Sequence, residues 1–298
     1  MASKLCSTSA PPGARESIVM DTDRRFSGIS AAELAHSLGS AAHPLVIDVR
    51  RAPAFQASPH LVCASLYRSP EMVDRWSADF APQSRIVTAC VHGHEVGQDA
   101  AAKLRAHGHD ATYLSDGIEG WIAAGFPTLR KSAVYDGSKP TRWVTRARPK
   151  IDRIACPWLI RRFIDPRAEF HYAPAADVHA ASEKLHAIPF DIPGVDFSHH
   201  GEHCSFDAMI ERFSLNDPAL HRLADIVRGA DTSRLELTAQ SAGLYAISLG
   251  FSDLIEDDHA LLDAGMKIYD ALYRWQRDLT GEAHAWPPKD SAAPEHAR

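Results

Sequence analysis

The chain has 298 residues, of which 45% are hydrophobic and 23% are charged, and its formal net charge is -6. This length is long for one compact core and predicts two domains, while the composition is typical of a soluble globular protein. The charge balance excludes binding of nucleic acid through an excess of Lys and Arg, so we expect no DNA partner.

The N-terminal residues lack the apolar segment of a secretory signal, and we expect a disordered leader over residues 1–25. No run of about 18 apolar residues is present, so we expect no membrane span. The five cysteines are widely spaced and form no CxxC pair. This pattern favours free thiols in a reducing cytoplasm over a disulfide framework.

Short apolar runs alternate with helical segments between residues 26 and 130. Ser30 and Glu33 form a capping box for a first helix, which is expected to end at Gly39. Continuously apolar runs, which are typical of parallel strands covered on both faces, occur at residues 44–50, 85–91 and 111–114. Further helices are predicted over residues 71–80, 97–107 and 118–124. The pattern predicts an α/β domain with a parallel sheet flanked by helices.

A polar connector that contains Gly and Pro is expected over residues 131–141. Helical periodicity dominates afterwards, so we predict a second, mainly helical (α or α+β) domain over residues 142–285. One apolar stripe predicts a single long helix of about six turns, and its members are Leu254, Leu261, Ile268, Leu272 and Trp275. Residues 286–298 are expected to form a disordered tail.

Cys90 ends a predicted strand, and a short loop connects it to a helix that is expected to begin near Val96 or Gly97. Backbone N–H groups of such a loop, together with the positive end of the helix dipole, stabilise a thiolate or an anionic persulfide. Ligand sites of open α/β sheets lie at the carboxyl ends of strands, where this cysteine falls. We therefore predict that Cys90 is a catalytic nucleophile; the alternative is a small buried hydrophobic residue.

Three segments of the first half resemble the rhodanese homology domain, namely Ile47–Arg50 with Phe55 downstream, Ile86–Cys90 with its loop, and Tyr113–Pro127. The resemblance covers about residues 26–130 and implies a rhodanese-like fold. It also implies that Cys90 accepts a sulfane sulfur from a small-molecule donor, such as thiosulfate or a persulfide, and passes it to a thiol or another nucleophile. No cofactor is required for this reaction. The implied substrate-binding residues are Val91, His92, Gly93, His94, Glu95, Val96, Asp48 and Arg50.

Asp48 and Arg50 are expected to brace the site rather than to react, and Asp48 is alternatively a satisfied buried carboxylate. The loop departs from the rhodanese pattern at Glu95, where such loops often carry Arg or Lys. A carboxylate beside a thiolate raises the thiol pKa, whereas protonated His92 and His94 would lower it. The missing arginine also disfavours a phosphatase or an arsenate reductase, since both need a guanidinium for the oxyanion. A donor other than thiosulfate and a passive surface role for both histidines therefore stay open.

A basic segment follows the connector. Pro157 suits the first turn of a helix, which would place Cys156 close to the N-cap. Helix amides and neighbouring arginines would then form an anion-binding cluster, with a solvated basic helix face as the alternative. The arginines concerned are Arg142, Arg146, Arg153, Arg161 and Arg162.

Imidazole, carboxylate and thiol groups concentrate between Phe197 and Phe206. Such groups at short spacing can ligate zinc, copper or iron, so we predict a metal ion in the second domain, although the spacing is not that of a zinc finger. The predicted ligands are His199, His200, Glu202, His203 and Cys204. A polar connecting loop is the alternative. His221 and Asp225, four residues apart, are either a surface pair or remote ligands.

The second half resembles the C-terminal domain of the ChrB-type chromate-resistance proteins, through Arg142–Arg146, Asp152–Asp165 and His199–Asp207. This resemblance implies an association with chromate or oxidative stress and no defined reaction. Some members of that family regulate transcription through an N-terminal DNA-binding region. This chain carries the rhodanese-like segment there, which puts a regulatory role in doubt.

Together these patterns predict a cytoplasmic sulfurtransferase-like enzyme fused to a chromate-resistance domain, with a sulfur donor, a thiol acceptor and chromate as candidate ligands. The alternative from another class is a non-catalytic sensor or regulatory module that responds to chromate or to a metal. A third hypothesis is a thiol oxidoreductase in which Cys90 or Cys156 donates electrons to chromate. The sequence leaves the oligomeric state open.

Overall fold

The first half of the chain folds into alternating strands and helices. The structure is a computed structural model that describes residues 28–282, so the expected leader and tail lie outside the described residues. The strands are β1 (Leu45–Asp48), β2 (His60–Val62), β3 (Ser65–Tyr67), β4 (Arg85–Ala89), β5 (Asp110–Tyr113) and β6 (Thr128–Arg130). The helices are α1 (Ala31–Ser37), α2 (Ala52–Ala57), α3 (Val73–Trp76), α4 (Glu95–Ala106) and α5 (Gly117–Ala123). Short 3-10 turns at Pro70–Met72 and Ser77–Asp79 flank α3.

Strand β1 lies inside a four-stranded parallel sheet with the order β3-β1-β4-β5. Val46 and Ile47 are both fully buried, and they belong to the cores on opposite faces of this sheet. Their burial on both faces explains why the strand is continuously apolar. The α/β architecture with helices on both faces is therefore confirmed. Strands β2 and β6 form a separate antiparallel pair.

The second half contains a small sheet and many helices. Its strands are β7 (Arg142–Arg146), β8 (Glu169–Ala173) and β9 (Ile188–Pro189), which form a parallel sheet with the order β8-β7-β9. Its helices are α6 (Asp152–Leu159), α7 (Val178–Leu185), α8 (Ser205–Arg212), α9 (Pro218–Asp231), α10 (Ser241–Leu254) and α11 (Asp258–Arg274). No helix within residues 28–282 is long and apolar enough to cross a bilayer.

The predicted six-turn helix is wrong, because the chain breaks between α10 and α11. Leu254 ends α10 and is 78% exposed, so it does not share the buried face of Leu261. Asp257 caps the second helix by accepting a hydrogen bond of 2.7 Å from the N–H of Ala260. A side-chain cap of this kind starts a new helix even where the apolar periodicity continues.

The predicted position of Pro157 is also wrong. Helix α6 begins at Asp152, so Pro157 lies inside the helix and Cys156 is buried in its middle rather than near the N-cap. Proline removes one backbone hydrogen bond of a helix. A wider π turn over Ile160–Ile164 follows the helix.

The two halves share one continuous apolar core. The N–H of Ala64 donates to the carbonyl of Phe163 at 2.8 Å, which joins a first-half turn to the end of the second-half helix. The Arg277 guanidinium donates to the carbonyls of Ala35 and Leu38, both at 3.1 Å. These contacts connect the first half directly to the second half.

The connector packs along β3 of the first sheet. Tyr135 is buried, and its hydroxyl donates to the carbonyl of Ser65 at 2.8 Å. The carbonyl of Gly137 accepts from the N–H of Tyr67 at 2.9 Å. The connector is therefore part of the packed structure between the two halves.

Candidate functional site

Cys90 directly follows β4, at the carboxyl end of a strand in the middle of the parallel sheet. Cys90 is 5% exposed, and its Sγ lies 3.8 Å from the carbonyl oxygen of His94. Helix α4 begins at Glu95, close to the predicted start. The thiol is thus placed beneath the first turn of α4, where backbone N–H groups have no partner within the helix.

The carbonyls of Cys90, Val91 and Gly93 bond to α5 and α4, whereas the carbonyl of His94 lies near the thiol and also accepts from the N–H groups of Gly97 and Gln98. The carbonyls of Cys90 and Val91 accept from the N–H groups of Ile118 and Glu119 at 2.9 and 3.1 Å. The carbonyl of Gly93 accepts from the Gln98 side chain at 3.0 Å. In contrast, the N–H groups of residues 91–96 have no hydrogen-bond acceptor among the described residues. Six successive free N–H groups beside a thiol are suited to hold negative charge.

Gly93 is required for this loop conformation. Its φ is +74°, and a Cβ at this position would lie 1.9 Å from the carbonyl oxygen of Ser115. A larger residue would therefore both strain the backbone and push the loop away from α5.

The side chains around the loop carry mixed charge. The rings of His92 and His94 lie 5.8 Å apart, and His92 Nδ1 lies 3.5 Å from a Glu119 carboxylate oxygen. A cavity of about 200 Å³ borders the loop; its lining residues are Arg51, Pro70, Glu71, Glu95, Val96, Asp99, Ala100 and Lys103. Two cations and three carboxylates line this cavity, so it does not present a strongly positive surface to a donor.

Asp48 and Arg50 form a buried ion pair at the end of β1. Arg50 Nε and Nη2 donate to the Asp48 carboxylate at 2.6–3.1 Å, and Nη2 also donates to the carbonyl of His60 at 2.9 Å. Burial raises the pKa of Asp48, although the hydrogen bonds from Arg50 act in the opposite direction. Because both side chains are buried and hydrogen-bonded to each other, the pair is suited to bracing the Cys90 site.

The five arginines of the predicted anion-binding cluster all have carboxylate partners. Each guanidinium faces a carboxylate: the pairs are Arg142–Glu169 at 2.9 Å, Arg146–Asp191 at 2.8 Å, Arg153–Asp191 at 3.3 Å, Arg161–Asp263 at 3.7 Å and Arg162–Asp270 at 2.8 Å. Their charges are balanced within the protein. Only Arg146 and Arg153 meet, at Asp191.

The predicted metal ligands between His199 and Cys204 also separate, so they do not form one site. His200 and His203 pair through their backbones at 3.0 Å. Glu202 is exposed and lies 3.2 Å from Arg234, and Cys204 is buried at the N-cap of α8. His221 lines a different cavity of about 520 Å³, and Asp225 pairs with Arg228 at 3.2 Å. His199 alone among the predicted ligands reaches a cluster of metal-binding groups.

His199 Nε2 lies close to three carboxylates that are not among the predicted ligands. It is 3.0 Å from an oxygen of Asp231, 3.4 Å from one of Asp191 and 3.6 Å from one of Asp152. Donor atoms of Asp152, Asp191 and His199 all lie within 4.8 Å of one another. Asp152 and Asp191 are 1% and 4% exposed, so their carboxylates are buried polar groups.

Backbone amides at the start of α8 hold the Asp152 carboxylate. The N–H groups of Ser205 and Phe206 donate to it at 2.7 and 3.1 Å, and the Cys156 thiol lies 3.5 Å from it. Burial raises the pKa of Asp152 to about 8, and the charges of Asp231 and Asp191 act in the same direction.

Two guanidinium groups and one hydroxyl orient Asp191. Arg146 and Arg153 contact its Oδ2, and the Ser205 hydroxyl donates to its Oδ1 at 3.1 Å. Burial acts to raise the pKa of Asp191, but hydrogen bonds from His199 and Arg146 lower it overall. The hydrogen bonds to Asp191 and Asp231 raise the pKa of His199 to about 10.

The backbone conformation and the sheet topology also distinguish the cluster around His199. Ile151 has a φ of +36° and Asp191 a φ of +52°, and such values are uncommon for residues with a Cβ, most of all for a β-branched one. Arg146 ends β7 and Asp191 follows β9 closely, so both lie at the carboxyl ends of adjacent parallel strands. Crevices at such carboxyl ends are the usual ligand sites of parallel sheets.

Little in the sequence pointed to these carboxylates. Asp152 stands in the segment that carries the resemblance to ChrB, whereas Asp191 and Asp231 are isolated polar residues. His199 and the three aspartates come from a stretch of 80 positions, from 152 to 231. Their proximity depends on the sheet and on α9, which no local spacing reveals.

Two family models match this chain, one in each half. Residues 30–124 match the family model of the rhodanese-like domain, and residues 143–276 match that of the ChrB C-terminal domain. The chain therefore contains a rhodanese-like domain followed by a ChrB C-terminal domain.

Protein ChrB of Cupriavidus metallidurans is 35% identical to this chain over 161 residues, which cover 54% of this chain and 47% of that protein. The chain thus matches about half the length of this curated relative.

Solved structures similar to this chain include a full-length protein from Lactobacillus plantarum, with 20% identity over 39% of this chain and 98% of that one and a TM-score of 0.35. They also include a rhodanese-related protein from Thermoplasma volcanium, with 20% identity over 35% of this chain and 98% of that one and a TM-score of 0.31. Thiosulfate sulfurtransferase from Pseudomonas aeruginosa is 20% identical to this chain. The match covers 36% of this chain and 20% of that enzyme, with a TM-score of 0.32.

Proposed function

We propose that this protein is a rhodanese-type sulfurtransferase in which Cys90 carries a persulfide. The observation that supports this most directly is the set of free N–H groups of residues 91–96 around the thiol. Preorganised N–H dipoles stabilise a thiolate and an anionic persulfide, since they need no reorganisation when charge develops. The position at the carboxyl end of β4 and the match to the rhodanese-like domain agree with this proposal.

In the proposed reaction, the Cys90 thiolate attacks the outer sulfur of a sulfane donor. A new S–S bond forms at Sγ while the donor S–S bond breaks, and the donor remnant leaves with the electron pair as sulfite or as a thiolate. An acceptor thiolate then attacks the outer sulfur of the persulfide. The Sγ–S bond breaks and the Cys90 thiolate is restored, so the cycle involves no net change at the protein.

The charge around the loop favours a thiol persulfide over thiosulfate as the donor. Glu95 stands at the first position of α4, and Glu71 and Asp99 line the adjoining cavity. These carboxylates repel a dianion, whereas Arg51 and Lys103 offset only part of that charge. We propose cytoplasmic thiols as acceptors, which agrees with the four free cysteines among the described residues.

The ChrB C-terminal domain supports a link to chromate resistance. In this proposal the sulfurtransferase supplies reduced sulfur to an acceptor under chromate stress. The second candidate is a sensor module, which the low exposure of Cys90 favours because a nearly buried thiol restricts access of a large acceptor.

Intact mass measurement tests the proposal. Purified protein, Cys90→Ser and a matched Cys63→Ser control, which alters another buried free cysteine, are incubated separately with thiosulfate, a thiol persulfide and chromate. We expect a mass gain of one sulfur atom that is lost only in Cys90→Ser, together with turnover when a thiol acceptor is added. An adduct that persists in Cys90→Ser, or an absence of any adduct, overturns the proposal. Stabilisation by chromate without an adduct would support the sensor instead.

A further inference from the structure

We propose that Asp152, Asp191 and His199, with Asp231 as a fourth ligand, bind one divalent transition-metal ion in the ChrB C-terminal domain. The site combines the start of α6, the end of β9, the loop before α8 and the end of α9. It is separate from the Cys90 loop, so the proposal does not depend on sulfur transfer.

The distances from His199 Nε2 to the three carboxylates match those between neighbouring ligands of a metal ion. Metal–ligand bonds of about 2.0–2.2 Å place neighbouring ligands about 3.0–3.6 Å apart in octahedral or tetrahedral geometry. The Nε2 atom of His199 lies 3.0, 3.4 and 3.6 Å from oxygens of Asp231, Asp191 and Asp152. An imidazole N–H donates well to one acceptor, so hydrogen bonding alone does not explain three carboxylates at one nitrogen.

Hydrogen bonds and ion pairs from neighbouring groups orient the donor atoms, as in established metal centres. The Oδ2 of Asp152 accepts a hydrogen bond from the N–H of Ser205, and this oxygen also faces His199. The two guanidinium contacts to Asp191 involve Oδ2, so Oδ1 is the atom that faces His199. These contacts orient the carboxylates before any ion arrives and reduce the reorganisation that binding requires.

One imidazole and several carboxylates define the class of metal. Carboxylates favour hard ions such as Mn²⁺, and an imidazole extends the range to Fe²⁺ and Zn²⁺. Mg²⁺ binds through one or two carboxylates while keeping several waters, so the mixed set disfavours it. His199 is 42% exposed and Asp231 is 18% exposed, while Asp152 and Asp191 are buried, so an ion would enter from the side of His199 and Asp231.

Equilibrium dialysis tests the site directly. Purified full-length protein is treated with a chelator, dialysed against Mn²⁺ or Zn²⁺ at micromolar concentration, and its metal content is measured by mass spectrometry. We expect one ion per chain in the wild type. The variants are His199→Ala and Asp191→Asn, and the matched control is His200→Ala, which alters the exposed neighbour outside the cluster. Loss of one direct ligand is expected to weaken binding by about a hundredfold or more, since loss of a group that only orients a ligand already costs about tenfold to a hundredfold. The control is expected to bind as the wild type does.

A metal-free measurement guards against unfolded variants. His199 is partly exposed, so His199→Ala is expected to keep the wild-type circular dichroism spectrum without metal, and its thermal midpoint is expected not to rise on addition of Mn²⁺. The proposal is overturned if the wild type binds no ion in stoichiometric amount, binds Mg²⁺ as tightly as Mn²⁺ and Zn²⁺, or binds equally well after His199→Ala. In the first case the cluster is an ion-pair network centred on protonated His199.

Discussion

Gly97 approaches the Cys90 thiol so closely that a Cβ on Gly97 would lie 3.2 Å from Sγ. Gly97 stands in the first turn of α4, and its N–H donates to the carbonyl of His94 at 3.0 Å. Any side chain at this position narrows the space around Sγ. The proposed persulfide needs room for a second sulfur atom, so this glycine is expected to matter more for chemistry than for folding.

We therefore expect Gly97→Ala to slow persulfide formation by about tenfold or more, because small displacements at a reacting atom are costly. Alanine favours helix over glycine by about 1 kcal/mol, which offsets the close contact, so stability should change little. The rate of sulfur loading by intact mass and urea unfolding provide the two measurements. Ala102→Val, on the exposed face of the same helix, is the control. Wild-type loading in a folded Gly97→Ala variant would contradict this prediction.

The buried ion pair of Asp48 and Arg50 predicts an asymmetric response to mutation. Arg50→Met leaves a buried carboxylate without its cation and should lower the free energy of unfolding by about 3–5 kcal/mol. The double variant Asp48→Asn with Arg50→Met removes both charges and should be more stable than Arg50→Met alone. Urea unfolding of the three proteins measures this. If the double variant is the least stable, the assignment of a bracing ion pair is wrong.

Arg277 joins the two halves through backbone carbonyls. It donates to the carbonyls of Ala35, His36 and Leu38 at 2.7–3.1 Å, so Arg277→Ala leaves three carbonyls without this donor. We expect a loss of about 1–3 kcal/mol in stability. Arg212→Ala breaks a more exposed ion pair and should cost about 1 kcal/mol or less.

The shared core also predicts that the two halves of the wild type unfold together. Thermal unfolding followed by circular dichroism and by tryptophan fluorescence should give one coincident transition. Two separate transitions would show that the halves are energetically independent.

His43 predicts a pH dependence of stability. Burial, with the charges of Arg162 and Arg85, lowers the pKa of His43 from 6.5 to about 4. As the pH falls below 6.5 the unfolded chain takes up a proton at this histidine before the folded chain does. The stability from neutral His43 is complete above pH 6.5 and is lost as the pH falls toward 4, by at most about 3 kcal/mol.

His43→Gln removes the titration while keeping a polar side chain near Ser37. Urea unfolding between pH 4 and 7 should therefore show a steeper loss of stability in the wild type than in the variant. Parallel profiles for the two proteins would mean that His43 titrates similarly in the folded and unfolded states.

The parts of the structure that depend on neighbouring residues were predictable from the sequence. The capping box of Ser30 and Glu33 is present, with the Glu33 N–H donating to the Ser30 hydroxyl at 3.2 Å. The apolar runs before Asp48 and Cys90 form parallel strands, as continuous apolarity indicates. Local signals of this kind are encoded within a few residues of the element that they specify.

Features that depend on distant partners were not predictable in the same way. The arginine run suggested an anion site because the sequence shows charges but not the carboxylates that neutralise them, such as Asp263 and Asp270. His199 was selected for its histidine-rich surroundings, yet its neighbours in space come from three other segments. A cluster assembled by tertiary contacts leaves no fixed spacing in the chain.

The connector along β3 has a consequence for any attempt to separate the two halves. Strand β3 is an outer strand of its sheet, and the carbonyl of Gly137 occupies one of its outward N–H groups, that of Tyr67. A fragment ending at residue 130 would lack this cover and the buried Tyr135 ring, leaving main-chain groups free to pair with another molecule. A fragment extended through residue 141 would keep that edge blocked, so its solubility should exceed that of the shorter one.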